Sequence, residues 1–205
     1  MRYNPTGKRL LDLAVAVPAL IASLPIQAAV AVAVRRKLGS PVLFRQTRPG
    51  LHGEPFELLK FRTMLPVDPA KGQTDDASRL TPFGAWLRST SLDELPSLWN
   101  IVRGDLSLVG PRPLRMHYLP HYTADQNRRH NLKPGLTGLA QVNGRNATTW
   151  EERFHWDLRY VETVSLLLDV SILAKTAAKT ILREGITSEG SSTMTPFAPS
   201  GIPAS

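Results

Sequence analysis

The chain has 205 residues, 25 of them Lys or Arg and 17 Asp or Glu, for a formal charge of +8. That length suits one domain of ordinary size with an appendage, and the positive excess implies an acidic partner: nucleic acid, anionic lipid or a phosphorylated substrate. The lack of cysteine excludes a disulfide framework, a cysteine nucleophile and a thiolate zinc site. Neither GxxxxGK[ST] nor GxGxxG occurs, so the common phosphate-binding loops are missing. His117 and His121 have helical spacing, but Pro120 stands between them, and they are not read as a metal pair.

Residues 10–34, LLDLAVAVPALIASLPIQAAVAVAV, lie between Lys8-Arg9 and Arg35-Arg36-Lys37. The stretch is too long for a signal peptide and shows no clear cleavage site. As one straight helix it reaches about 37 Å, enough to span a hydrocarbon core about 30 Å thick. Two features point instead to a re-entrant helix-break-helix. Pro25, with Ser23 before it and Gln27 after, deletes a backbone hydrogen bond and kinks a helix; Ser23 can satisfy the freed groups. Both flanks are basic, and Lys and Arg favour the cytoplasmic side, where a hairpin keeps them together. A tilted span and a buried core helix are the alternatives. Asp12 is expected near the interface, paired with Arg9 or Arg36.

Val42–Gln46 and Phe56–Phe61, separated by Pro49-Gly50 and Gly53, predict a short β-hairpin. Alternation puts Lys60 and Arg62 on one face of it. Residues 66–78 read as a polar loop. Thr81-Pro82 then starts a short helix, with Arg88 near its end. Arg112 is held between Pro111 and Pro113 behind Gly110, a stiff mount that suits bidentate phosphate recognition. Residues 133–146, KPGLTGLAQVNGRN, read as a compact loop. It offers the amides of Gln141, Asn143 and Asn146 and the fork of Arg145. Helices follow from Thr148 and over 164–184, where Lys175, Lys179 and Arg183 form a basic stripe beside apolar residues. That pattern fits either a surface helix packed on the domain or one lying on an anionic membrane. The tail from Gly185 is small, polar and proline-bearing, as in flexible or loosely docked segments.

Residues 91–100 read SLDELPSLWN. Ser91-x-x-Glu94 matches a capping box, with Ser91 as N-cap and Glu94 three residues on. Pro96 loosens that reading, because the residue before proline avoids the α region. It sets Asp93 and Glu94 at a helix N-terminus, a place that attracts anions. Adjacent residues point in different directions, so the two acids suit separate tasks around one reacting group.

Taken in order, KRLLDL (8–13), KFRTM (60–64), LTPFGAWLRSTSLDELPSLWNIVRGDLSLVGPRP (80–113) and KPGLTGLAQVNGRN (133–146) closely resemble the bacterial sugar transferases. These are monotopic polyprenyl-phosphate phosphoglycosyl transferases, and the chain resembles their small form. The resemblance implies an α+β, mainly helical fold: a re-entrant membrane hairpin (1–38), a catalytic domain with a short β-hairpin and interfacial amphipathic helices (39–184), and a flexible tail (185–205). It implies transfer of a sugar-1-phosphate from a UDP-sugar to a polyprenyl phosphate, usually undecaprenyl phosphate, with UMP released. Asp93 matches the family's covalent nucleophile and Glu94 its partner, associated with Mg²⁺ and the diphosphate. Lys60, Arg62, Arg88, Arg112, Gln141, Asn143 and Arg145 are the expected substrate-binding residues, and Asp157 is a candidate supporting acid. Ser23 and Pro25 match the membrane hinge, although Leu24 intervenes where the family commonly has Ser-Pro. The expected location is the cytoplasmic face of a bacterial inner membrane, on anionic lipid and without nucleic acid; sugar, pathway and oligomeric state stay open. A non-catalytic membrane scaffold and, behind it, a nucleic-acid binder are the competing readings.

Overall fold

The structure, a computed structural model, describes residues 5–144, 149–182 and 197. The apolar run forms one helix, α1 (Pro5–Lys37), about 50 Å long at 1.5 Å per residue. The expected non-helical break is not seen: the helix continues through Pro18 and Pro25. Proline at position 25 removes the donor to the Ile21 carbonyl without ending the helix, and two side-chain bonds lie in the same stretch. The Ser23 hydroxyl donates to the Leu20 carbonyl at 3.0 Å, and Gln27 donates to Ser23 Oγ at 2.9 Å.

Both ends of α1 are fastened to the rest of the chain. Arg9 donates to the carbonyls of Ile101 and Val102 at 2.5 and 2.6 Å, the favourable place for a cation at a helix C-terminus. Lys8 donates to Asp169 at 2.7 Å and to the Tyr160 hydroxyl at 3.0 Å. Asp12 does not pair with Arg9 or Arg36. It is buried and accepts from the Ser107 hydroxyl and the Leu108 amide, both at 2.9 Å; two hydrogen bonds replace the water it gives up. Farther along, Val30 and Val34 pack with Leu38, Phe61 and Leu87 in one core cluster. Ala16 belongs to the other main cluster, with Leu98, Ile101, Val109, Tyr160 and Ile172.

The predicted hairpin is present as β1 (Leu43–Pro49) and β2 (Pro55–Phe61), antiparallel with Gln46 opposite Leu58. The segment read as loop contains an isolated turn of helix, α2 (Asp76–Arg79). Then α3 (Pro82–Ser89) starts as expected, with Thr81 Oγ1 accepting from the Gly84 amide at 3.1 Å. Glycine is required at 84 because a Cβ there would collide with the Thr63 carbonyl. A short 3₁₀ turn (Leu92–Glu94) leads into α4 (Ser97–Arg103). Fully buried Asn100 ties α4 to β2: it accepts from the Leu59 amide at 3.0 Å and donates to the Glu57 carbonyl at 2.7 Å. Ser97 adds a 2.7 Å bond to the Leu59 carbonyl.

The remaining elements are β3 (Ser107–Val109), α5 (Ala124–Asn127), β4 (Gly135–Thr137), α6 (Leu139–Asn143), α7 (Trp150–Thr163) and α8 (Leu166–Leu182). β3 and β4 pair in parallel, so the small-sheet content exceeds the predicted hairpin. Residues 133–144 are not one loop but a strand followed by a helix. A Cβ on Gly135 would strike the Gly110 backbone; two glycines let the loop carrying Arg112 lie against β4. The chain is thus mainly helical with small sheets. From the tail, only Phe197 is described. It packs edge-on against Tyr118, Trp150 and Phe154 at centroid distances of 5.4, 5.2 and 5.4 Å.

Candidate active site

Ser91 adopts φ 56°, ψ 15°, a left-handed conformation uncommon and strained for a residue with a Cβ. It turns the chain between α3 and the 3₁₀ turn that carries the carboxylates. The capping-box reading is therefore corrected: Ser91 precedes that turn but makes no side-chain cap bond.

β2, docked through Asn100 and Ser97, delivers Lys60 to Glu94. Lys60 Nζ lies 2.6 Å from Glu94 Oε1, and Arg112 Nη2 lies 3.2 Å from the same oxygen. Arg88, at the end of α3, donates through Nε to Thr63 Oγ1 at 3.0 Å, leaving the rest of its fork to act on Asp93. Asp93 is buried. Burial pushes its carboxyl up to about 6, the neighbouring Glu94 charge adds to this, and Lys60, Arg88 and Arg112 pull against it. Glu94 ends far on the other side. Burial opposes its ionisation, but Lys60 and Arg112, by charge and hydrogen bond, hold its carboxyl well below the usual range. The two acids are thus split as separate tasks require: Glu94 is a fixed anion, and Asp93 is a desolvated carboxylate facing cations. Among the described residues, no hydrogen bond reaches Asp93 or Glu94 Oε2.

No group of three or more His, Cys, Asp or Glu residues that could hold a metal occurs among the described residues. An all-protein cage is therefore not built here. Two adjacent carboxylates with uncommitted oxygens do fit Mg²⁺, which takes one or two carboxylates and completes its shell with water and phosphate oxygens.

Arg112 is held from behind by a residue the sequence reading missed. Arg129, 1% exposed, donates to the Arg112 carbonyl at 2.7 Å and to Asp157 Oδ2 at 2.6 and 3.1 Å. Asp157 is fully buried; burial raises its carboxyl, and Arg129 and Arg153 oppose that. Its carboxylate is occupied by Arg129 and does not reach the dyad. No local pattern distinguishes Arg129 from Arg128, whose partners are the exposed Asp125 and Glu162. Asp157→Asn should destabilise the protein by about 3–5 kcal/mol, because it strands a buried guanidinium. The apolar pair Arg129→Met with Asp157→Leu should recover most of that, measured by thermal unfolding.

Arg62 does not join the cluster: its guanidinium donates to the Ser40 carbonyl at 2.9 Å. Asn143 donates back to Leu139 at 2.9 Å within α6. Gln141 lies beside Gly138, and its buried amide oxygen and nitrogen have no hydrogen-bond partner among the described residues, the condition of a group that waits for a ligand. Arg145, Asn146 and Arg183 lie outside the described residues.

Comparison with known proteins gives this geometry a context. Residues 3–183 match the model of the family described as bacterial sugar transferase. An uncharacterized sugar transferase, EpsL, of Bacillus subtilis is 51% identical over 195 residues, covering 95% of this chain and 96% of that protein. UDP-glucose:undecaprenyl-phosphate glucose-1-phosphate transferases of Xanthomonas campestris and Caulobacter vibrioides are 41% and 42% identical. Those matches cover 87% and 82% of this chain, but 40% and 67% of the two relatives. The family match spans the dyad, its three cations and the apolar helix together, and the chain belongs to the bacterial sugar transferase family.

Proposed function

We propose that the protein transfers a sugar-1-phosphate from a UDP-sugar to a polyprenyl phosphate through a covalent intermediate on Asp93. The observation that carries this is the split dyad: a buried carboxylate without a hydrogen-bond donor among the described residues, beside one pinned by Lys60 and Arg112. An Asp93 oxygen attacks the phosphorus that bears the sugar. The bond from that phosphorus to the bridging oxygen breaks, and UMP leaves with the electron pair. A phosphate oxygen of the acceptor then attacks the same phosphorus and displaces the Asp93 carboxylate. No proton is needed in either balance. Lys60, Arg88 and Arg112 neutralise charge on the phosphoryl oxygens, and Gln141 offers an amide to the nucleotide or sugar. Mg²⁺ would be held by Glu94 and would reduce the charge of the diphosphate. The test combines protein, Mg²⁺, undecaprenyl phosphate and a panel of UDP-sugars, with UMP as readout. One sugar should support turnover; none doing so with folded protein would refute the proposal and favour a scaffold.

Residues 1–38 serve as the membrane seat and 39–184 as the catalytic domain, on the cytoplasmic face of the inner membrane. α1 is long and apolar enough to cross a membrane, yet both of its ends are built into the domain. A straight crossing would separate those ends by about 30 Å of hydrocarbon; seating both on one side satisfies the contacts. Leu166, Leu167 and Val170 on α8, with Trp86 and Trp99, are exposed as well, side chains suited to an anionic membrane interface. Because the chain has no cysteine, single-cysteine variants report topology cleanly. Thr6→Cys and Arg36→Cys should both react with an impermeant maleimide in inside-out vesicles and neither in right-side-out ones. Labelling of position 6 from outside would establish a full span.

A further inference from the structure

A groove of about 680 Å³ runs between the second half of α1 and α3, a size typical of small-molecule sites. Ile26, Ala29 and Ala33 form one wall, Phe83 and Trp86 the other, and Leu92 is also in its lining. The two aromatic rings stack at 6.0 Å, and Lys37 Nζ lies 4.9 Å from the centre of the Phe83 ring. Ile26 and Trp86 are 50% and 47% exposed, and their neighbours on α1, Leu24 and Val32, are 54% and 51% exposed. The groove is therefore continuous with the apolar surface of the proposed membrane seat. Leu92 immediately precedes Asp93, where Lys60, Arg88 and Arg112 converge.

We propose that this groove holds the isoprenoid chain of the acceptor, with its phosphate delivered past Leu92 to the phosphorus on Asp93. The inference rests on the transferase reading and adds to it the place where the acceptor lies. A hydrocarbon wall that reaches Leu92, one residue before the dyad and its cations, matches a single-chain lipid with a terminal phosphate; a nucleotide sugar has no apolar part to fill it. Because lipid tails are as apolar as the groove, the chain gains little free energy by leaving the bilayer. The groove therefore orients the acceptor and acts on the second step, by positioning.

The test uses the full chain in lipid nanodiscs. Ala33→Trp fills the groove and Trp86→Ala opens it. Each should slow turnover with undecaprenyl phosphate by about tenfold or more, while the burst of UMP released by donor alone keeps its wild-type amplitude. A photoreactive polyprenyl phosphate should label peptides within residues 26–37 and 83–92, and undecaprenyl phosphate should compete. Wild-type turnover by both variants overturns the proposal. So does label confined to other peptides. Equal labelling by a diacyl phospholipid probe that undecaprenyl phosphate fails to displace also overturns it, and makes the groove a general lipid seat. A wild-type chain that gives no burst with any UDP-sugar refutes the transferase reading instead.

Discussion

Asp93→Asn is expected to lower UMP release from the UDP-sugar by about 10⁴-fold or more, the scale of losing a covalent nucleophile. The same variant should be more stable than the wild type. The Asp93 carboxyl sits at about 6 in the folded protein against an ordinary 3.8, so ionising it costs the fold. That cost is fully present above the folded value and absent below the ordinary one. Removing it should raise stability at high pH by on the order of 2–3 kcal/mol. The gain should shrink as pH falls through 6 and disappear below about 4. Thermal unfolding well above and well below these values reads the difference. Loss of activity with a gain in stability marks a group kept under strain for chemistry; loss of both would mark Asp93 as structural.

Glu94→Gln should cost about 10²–10³ in kcat/KM, by releasing Lys60 and Arg112 from their fixed positions, and should also move the pH profile. In the wild type, kcat/KM for the donor reports the free enzyme. It should fall as pH drops below about 6, where Asp93 takes up a proton. Removing the Glu94 charge lowers the Asp93 carboxyl, so the acid limb should move to lower pH. A variant that is slower with an unmoved limb would show that Glu94 does not act on Asp93 electrostatically.

Much of this site was legible in the residue order because its parts are local. Thr81-Pro82 set the start of α3, Pro49-Gly50 set the hairpin, and Asp93-Glu94 stood out beside Pro96. What escaped depends on contacts distant in sequence. Three-residue strands such as β3 and β4 are too short to show alternation, and they exist because Gly110 meets Gly135. Arg129 and Asp157 find each other across 28 residues. Asp157, a candidate supporting acid by sequence, gives its carboxylate to that arginine, and no neighbouring residue signals the pairing. The left-handed Ser91 was hidden by a sequence that also spells a capping box, and the unbroken helix by a Pro25 that reads as a break.

The most direct test is the intact mass of the wild-type protein after incubation with the correct UDP-sugar and Mg²⁺, without any acceptor. The mass should rise by one sugar-phosphate, the modification should map to the peptide containing Asp93, and undecaprenyl phosphate should remove it. Turnover of the same protein with donor and acceptor, but with no adduct trapped at any time from donor alone, would contradict the covalent route and point to direct transfer between the two substrates.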